Sequence, residues 1–119
     1  MLSFALSGVN GIELPGCHDL RNHRHIFQMY TIKIRGTSNL RDQLKDYLNK
    51  KGIMAKVYFE PVHLASFYKN VLQYRTKLPM TERISSEVLT LPLYPSLSKK
   101  DMDYVAQEIR NFFKNGLKR

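Results

Sequence analysis

Between His25 and Gly52 the hydrophobic period of the chain switches from that of a strand to that of a helix, across the short turn Gly36-Thr37-Ser38-Asn39. In HIFQMYTIKIR the apolar side chains fall at Ile26, Met29 or Tyr30, Ile32 and Ile34, and the β-branched and aromatic content is high. That alternation predicts a half-buried strand over 25–35. In NLRDQLKDYLNKKG the residues Leu40, Leu44, Tyr47 and Leu48 share one helical stripe, with Ser38 or Asn39 as the N-cap. Gly52 supplies a left-handed residue to end this helix, and Lys50 and Lys51 sit near the negative end of its dipole. A strand that feeds directly into an amphipathic helix must bury both apolar faces in one shared core.

The remainder repeats the theme. Residues 53–59, IMAKVYF, predict a second strand, which Pro61 removes from the sheet because it has no amide hydrogen to donate. The stretch 64–80 is left between one or two helical turns in LASFYKNVLQY and a loop from Arg75 to Pro79, and a short helix is expected over 81–87. In VLTLPLYP, Leu89 and Leu91 alternate before Pro92 and Pro95 force an exit, giving a third strand. Ser98 followed by Asp101 is a capping-box pattern, and Met102, Val105, Ala106, Ile109 and Phe112 or Phe113 recur at helical spacing. A long final helix follows from it. Residues 1–24, punctuated by Gly8, Gly11, Pro15 and Gly16, read as a connector with little regular structure and at most one short strand near Ile12 to Leu14. Residues 25–119 then form an α/β unit, a two-layer α+β sandwich with helices on one face of a small sheet.

Several classes of function are disfavoured. The 119 residues suit one domain, and no apolar run approaches the roughly 20 residues of a membrane span. The first apolar piece carries no basic residue ahead of it, so a secretory signal is not expected and a cytoplasmic setting is. The single cysteine, Cys17, excludes an internal disulfide. His18, His23, His25 and His63 lack metal-ligand spacing, and neither a phosphate-binding glycine loop nor a nucleophile elbow is present. The formal charge of +9 reads as solvated helix faces; the other reading is an anion-binding face. Lys56 with Tyr58 and Phe59, or Tyr68, Lys69, Tyr74 and Arg75, would suit base stacking, but half of these aromatics read as core, so nucleic acid is not the expected partner. A stand-alone basic module for phosphorylated ligands or nucleic acid is kept as the alternative function.

Taken in order, Arg41-Asp42-Gln43-Leu44, Gly52-Ile53, Tyr58-Phe59, Pro61-Val62-His63, Leu78-Pro79-Met80-Thr81-Glu82 and Leu91 to Pro95 resemble the C-terminal part of the DegT/StrS type of nucleotide-sugar aminotransferases. The resemblance covers roughly residues 25 to 113. It implies the small C-terminal domain of a fold-type-I enzyme, with a mainly antiparallel sheet, that closes over the active site and helps bind a sugar nucleotide. It also implies pyridoxal phosphate as the cofactor of the parent enzyme, bound through a lysine of a large N-terminal domain, with an amino-acid donor such as glutamate and a homo-oligomeric assembly. None of the lysines here is expected to be that lysine, so the chain alone should bind no cofactor, supply no catalytic residue and be inactive. By the same resemblance Tyr58, Phe59 and His63 are the candidate substrate-binding residues. Tyr58-Phe59 replaces the family's His-Tyr pair, exchanging an imidazole for a phenol and losing a hydroxyl. For His63 a loop-stabilising hydrogen bond is the competing role, and Arg41 reads as a helix-surface ion-pair former.

Overall fold

Tyr30, Ile32 and Ile34 turn toward one side of a strand and are buried, while Thr31 and Lys33 turn to the other and are half-buried. This strand belongs to a computed structural model that describes residues 2–16 and 26–116. The elements are α1 (Leu2–Ala5), β1 (Ile12–Glu13), β2 (Tyr30–Ile34), α2 (Ser38–Lys50), a 3-10 turn (Val62–Leu64), a π-helical turn (Phe67–Val71), α3 (Pro79–Glu87), β3 (Val88–Leu91) and α4 (Lys99–Gly116). The strands form an antiparallel sheet in the order β1-β2-β3, with Ile12 opposite Ile34, Tyr30 opposite Leu91 and Ile32 opposite Leu89.

Those inward residues meet Leu44 and Leu48 of α2 and Val105, Ala106, Ile109 and Phe113 of α4 in a single core. Burial of a side chain such as Ile32 or Ile109 contributes about 1.5 to 3 kcal/mol relative to exposure. The expected two-layer α+β sandwich with a small antiparallel sheet is what the chain forms.

Helix α2 ends as its sequence requires. Gly52 adopts φ +76°, and the amides of Gly52 and Ile53 donate to the carbonyls of Asn49 and Leu48 at 3.0 and 2.9 Å, a Schellman closure. Its start lies one residue earlier than the cap reading: Thr37 is the N-cap and makes no side-chain capping bond. Helix α4 has the Ser98 half of the expected box, for Ser98 Oγ accepts from the Asp101 amide at 3.1 Å, while the Asp101 carboxylate accepts from the Ser98 hydroxyl at 2.6 Å.

Three other expectations are revised. The first strand begins at Tyr30, with Ile26 87% exposed and outside the ladder. Over 53–59 only Lys56 pairs, through an isolated bridge to Thr90. The side chains still alternate, with Ile53 and Ala55 buried, but Met54 would face Pro92, which has no amide hydrogen to extend the pairing. Arg41 does pair with Asp42, at 2.8 Å, yet it is no surface group. It is 9% exposed, and its Nη1 donates to the carbonyls of Ser85 and Val88 at 3.0 and 3.1 Å, tying the α3–β3 junction to α2.

The first sixteen residues hold the anticipated short strand at Ile12–Glu13 and also a helical turn, and Leu2, Leu6 and Ile12 join the core. Gly11 has φ +96°, and a Cβ there would stand 2.7 Å from the Phe113 ring. Arg110 of α4 donates to the carbonyl of Ala5. Cys17, His18, His23 and His25, and the end of the basic tail, lie outside the described residues. Among the described residues no helix is long and apolar enough to cross a membrane.

Candidate functional site

The bridge between Lys56 and Thr90 brings the segment that follows helix α2 to the open edge of β3, and this placement sets the site. Beyond the bridge, Tyr58 and Phe59 emerge side by side, their ring centroids 5.0 Å apart. Phe59 is 70% exposed and Tyr58 36%, against the usual preference of large aromatics for burial. The chain then turns at Pro61, which is buried, into the 3-10 turn that carries His63.

Tyr58 is the wall between two grooves. On one side lies an open apolar groove of about 420 Å³, lined by Phe59, Pro61, Met80 and Ile84 among others, with Thr31 of the sheet as its floor. On the other lies a groove of about 390 Å³ that includes Lys56, Gln28, Met54, Thr90 and Tyr94. The Lys56 ammonium stands 6.0 Å from the centre of the Tyr58 ring, within cation–π range.

His63 is placed differently from the two aromatics. Its side chain is 8% exposed, its Nε2 lies 3.0 Å from Glu82 Oε1, and it lines neither groove. An ionised carboxylate only accepts, so Nε2 carries the hydrogen. The same Glu82 oxygen accepts from the amide of Leu78 at 3.1 Å. Glu82 therefore joins the His63 turn to the first turn of α3, and the His63 bond, then the Leu78 amide, hold its carboxyl below the ordinary carboxylate value. The sequence offered Glu82 only as part of the Leu-Pro-x-x-Glu motif. Its role could have been found from its spacing, because a Glu four residues after Leu78 can reach back to that amide at a helix start. Gln28 and Tyr94 were also missed, since they are distant in sequence and meet only where β2 begins and β3 ends.

A lysine that holds pyridoxal phosphate must present its amine inside an enclosed cavity. Every described lysine is half-buried or exposed, and Lys33, Lys45 and Lys51 are paired with carboxylates. The described residues do not fit such a site.

The DegT/DnrJ/EryC1/StrS aminotransferase family matches this chain over residues 1–110. Over 92 residues it is 32% identical to the pleiotropic regulatory protein of Geobacillus stearothermophilus, covering 76% of this chain and 24% of that protein. Over 101 residues it is 30% identical to the UDP-N-acetyl-3-dehydro-alpha-D-glucosamine 3-aminotransferase of Acidithiobacillus ferrooxidans, covering 84% of this chain and 26% of that one. The fold superposes on aminotransferase TlmJ from Streptoalloteichus hindustanus with a TM-score of 0.83 and 27% identity, over 96% of this chain and 29% of TlmJ. The chain thus spans 24% to 29% of the length of these relatives. With the match extending across residues 1–110 and the fold shared, the chain belongs to the DegT/DnrJ/EryC1/StrS aminotransferase family.

Proposed function

We propose that this chain is the small C-terminal domain of a pyridoxal-phosphate-dependent nucleotide-sugar aminotransferase, contributing to active-site closure and to sugar-nucleotide binding. Residues 25–119 are the body of that domain, and residues 1–24 are the connector into it. The observation that carries this reading is that 76% to 96% of this chain matches only 24% to 29% of a family member's length. A large N-terminal domain supplies the lysine and the enclosed pocket that the described residues do not offer. The complete enzyme is a cytoplasmic homo-oligomer that takes its amino group from an amino acid.

The surface fits a part that docks on a larger body. Phe59, Val62, Phe67, Val71, Leu72 and Met80 are each more than half exposed within a short stretch of chain. So dense an exposed apolar strip marks an interaction surface. Pyridoxal phosphate, once bound by the complete enzyme, supplies the electron sink for amino transfer. Within this chain Tyr58 and Phe59 present aromatic faces to the sugar nucleotide, and His63 holds the turn that aims them.

Titration of the isolated chain with a UDP-sugar, followed by NMR, tests the binding part. The expected result is a shift of the Tyr58 and Phe59 ring signals; rings that stay unmoved at millimolar ligand would refute it. Borohydride treatment with pyridoxal phosphate tests the division of labour. Scattered, low-level labelling is expected, and a stoichiometric adduct on one lysine would overturn the assignment.

A further inference from the structure

We infer that residues 57–87 form a flap that releases from the sheet as one unit while the rest of the fold stays intact. The inference goes beyond the domain closure proposed above, because the motion lies inside the domain, and it stands without any ligand. Three observations carry it. Between Ala55 and Leu89 no residue belongs to the buried apolar cluster, only Pro61 is buried, and residues 66–81 are exposed without a break. The excursion is nonetheless bonded to itself. The amides of Leu64, Lys69, Leu72 and Tyr74 donate to the carbonyls of Pro61, Ala65, Phe67 and Tyr68 at 2.9 to 3.1 Å, and His63 joins the first limb to α3 through Glu82. Its two ends meet at the sheet edge, where Lys56 exchanges backbone bonds with Thr90 at 3.1 and 2.8 Å.

What holds the flap down is mainly polar. The sheet face on its side presents Lys33, Thr31 and Thr90, the two hydroxyls bonded to each other at 2.9 Å, in place of the aliphatic residues of the inner face. Over Thr31 the open groove of about 420 Å³ separates Tyr58, Phe59 and Pro61 from Met80 and Ile84, so the two limbs are not packed together there. The fastenings to the body are Arg41, which donates to the carbonyls of Ser85 and Val88, and the Lys33–Glu87 ion pair at 3.4 Å. A hydrogen bond exchanges water for a protein partner at small net gain, whereas apolar burial is the main cohesive term. A segment fastened in this way therefore opens at lower cost than the core around Ile32 and Ile109. Once released, its turns and the nine residues of α3 are too short to persist alone in water, so its amides become exposed together. The Lys56–Thr90 bridge is the hinge and Arg41 the latch. Tyr58 and Phe59 ride on the first limb, so both grooves beside Tyr58 exist only while the flap is closed.

The test is native-state hydrogen exchange, followed by NMR, on the 119-residue chain and on Ile109→Val and Arg41→Lys. In the wild type the amides of Leu64, Leu72, Tyr74 and Glu82 should share one protection level and one urea dependence, about tenfold or more below the amides inside β2 and α4. Ile109→Val trims the core that the flap does not join. It should speed exchange inside α4 about two- to tenfold and leave the flap amides as they were. Arg41→Lys weakens the latch and should speed the flap amides about three- to tenfold. Flap amides that accelerate in step with α4 in Ile109→Val would be opening only with the whole fold, and that result would overturn the inference. Protection that differs from turn to turn with no shared urea dependence would overturn it too, as would flap amides indifferent to Arg41→Lys. None of these outcomes touches the sugar-nucleotide reading, which stands or falls on the UDP-sugar titration.

Discussion

Tyr47 of α2 donates its phenolic hydrogen to Glu108 Oε2 of α4 across 2.6 Å, and each residue alters the other's acidity. The Glu108 bond, with burial and the nearby negative charge, pushes the Tyr47 phenol up to about 12. The Tyr47 hydroxyl, then Lys51 and Asn111, hold the Glu108 carboxyl below its ordinary value of 4.5. Glu108 is 8% exposed, so the pair acts as a clasp between two core helices.

A pH dependence of stability follows from these signs. A depressed carboxylate binds fewer protons folded than unfolded, so its contribution is full above 4.5 and is lost as pH falls through the lowered value. A raised phenol binds its proton more tightly in the folded state, so its contribution is full below 10 and declines as pH rises from there through about 12. The urea midpoint is expected to fall on both flanks. Glu108→Gln should flatten the acid limb and Tyr47→Phe the alkaline one; unchanged limbs would show that the clasp does not titrate with folding.

Removal of the Arg41 guanidinium leaves the Ser85 and Val88 carbonyls without a donor at a buried junction. Arg41→Ala should cost about 2 to 3 kcal/mol in urea unfolding. Arg41→Lys should recover only part, because one ammonium does not reproduce the planar fork that reaches both carbonyls and Asp42.

At Gly11 a methyl group meets both an unfavourable φ of +96° and the Phe113 ring at 2.7 Å. Gly52, at φ +76° with nothing within 4 Å, is the control that isolates the backbone effect. Gly11→Ala should lower the thermal midpoint more than Gly52→Ala, with about 1 to 3 kcal/mol added by the ring clash. Equal losses would mean that Phe113 moves aside freely.

The His63–Glu82 bond should report on the order of the α3 start. His63→Ala or Glu82→Gln is expected to speed amide exchange at Leu78 several-fold and to leave the interior of α4 unchanged. If exchange at Leu78 is unaffected, His63 does not act through Glu82.

What the sequence disclosed depended on whether the signal was local. The Gly52 closure, the Ser98 cap on the Asp101 amide and the alternation from Tyr30 to Ile34 are written within a few residues, and all three are present in the structure. The pairing of 53–59 was not legible, because it depends on which β3 residue lies opposite, and opposite Met54 stands Pro92. Arg41 was misplaced as a surface group because its carbonyl partners lie more than forty residues away. Tyr58 and Phe59 were singled out from the resemblance and do line the grooves, whereas His63 turned inward to Glu82, a pairing across nineteen residues that could not be seen without the loop's path.

The packing of the first residues on α4 has a mechanical consequence. With Leu2 and Leu6 in the core, Ala5 held by Arg110 and Gly11 pressed on Phe113, this stretch is not a slack tether. A pull or rotation delivered to Leu2 by any preceding chain would load the last helix directly. The helical turn at Leu2–Ala5 and α4 would then move together, as one packed unit.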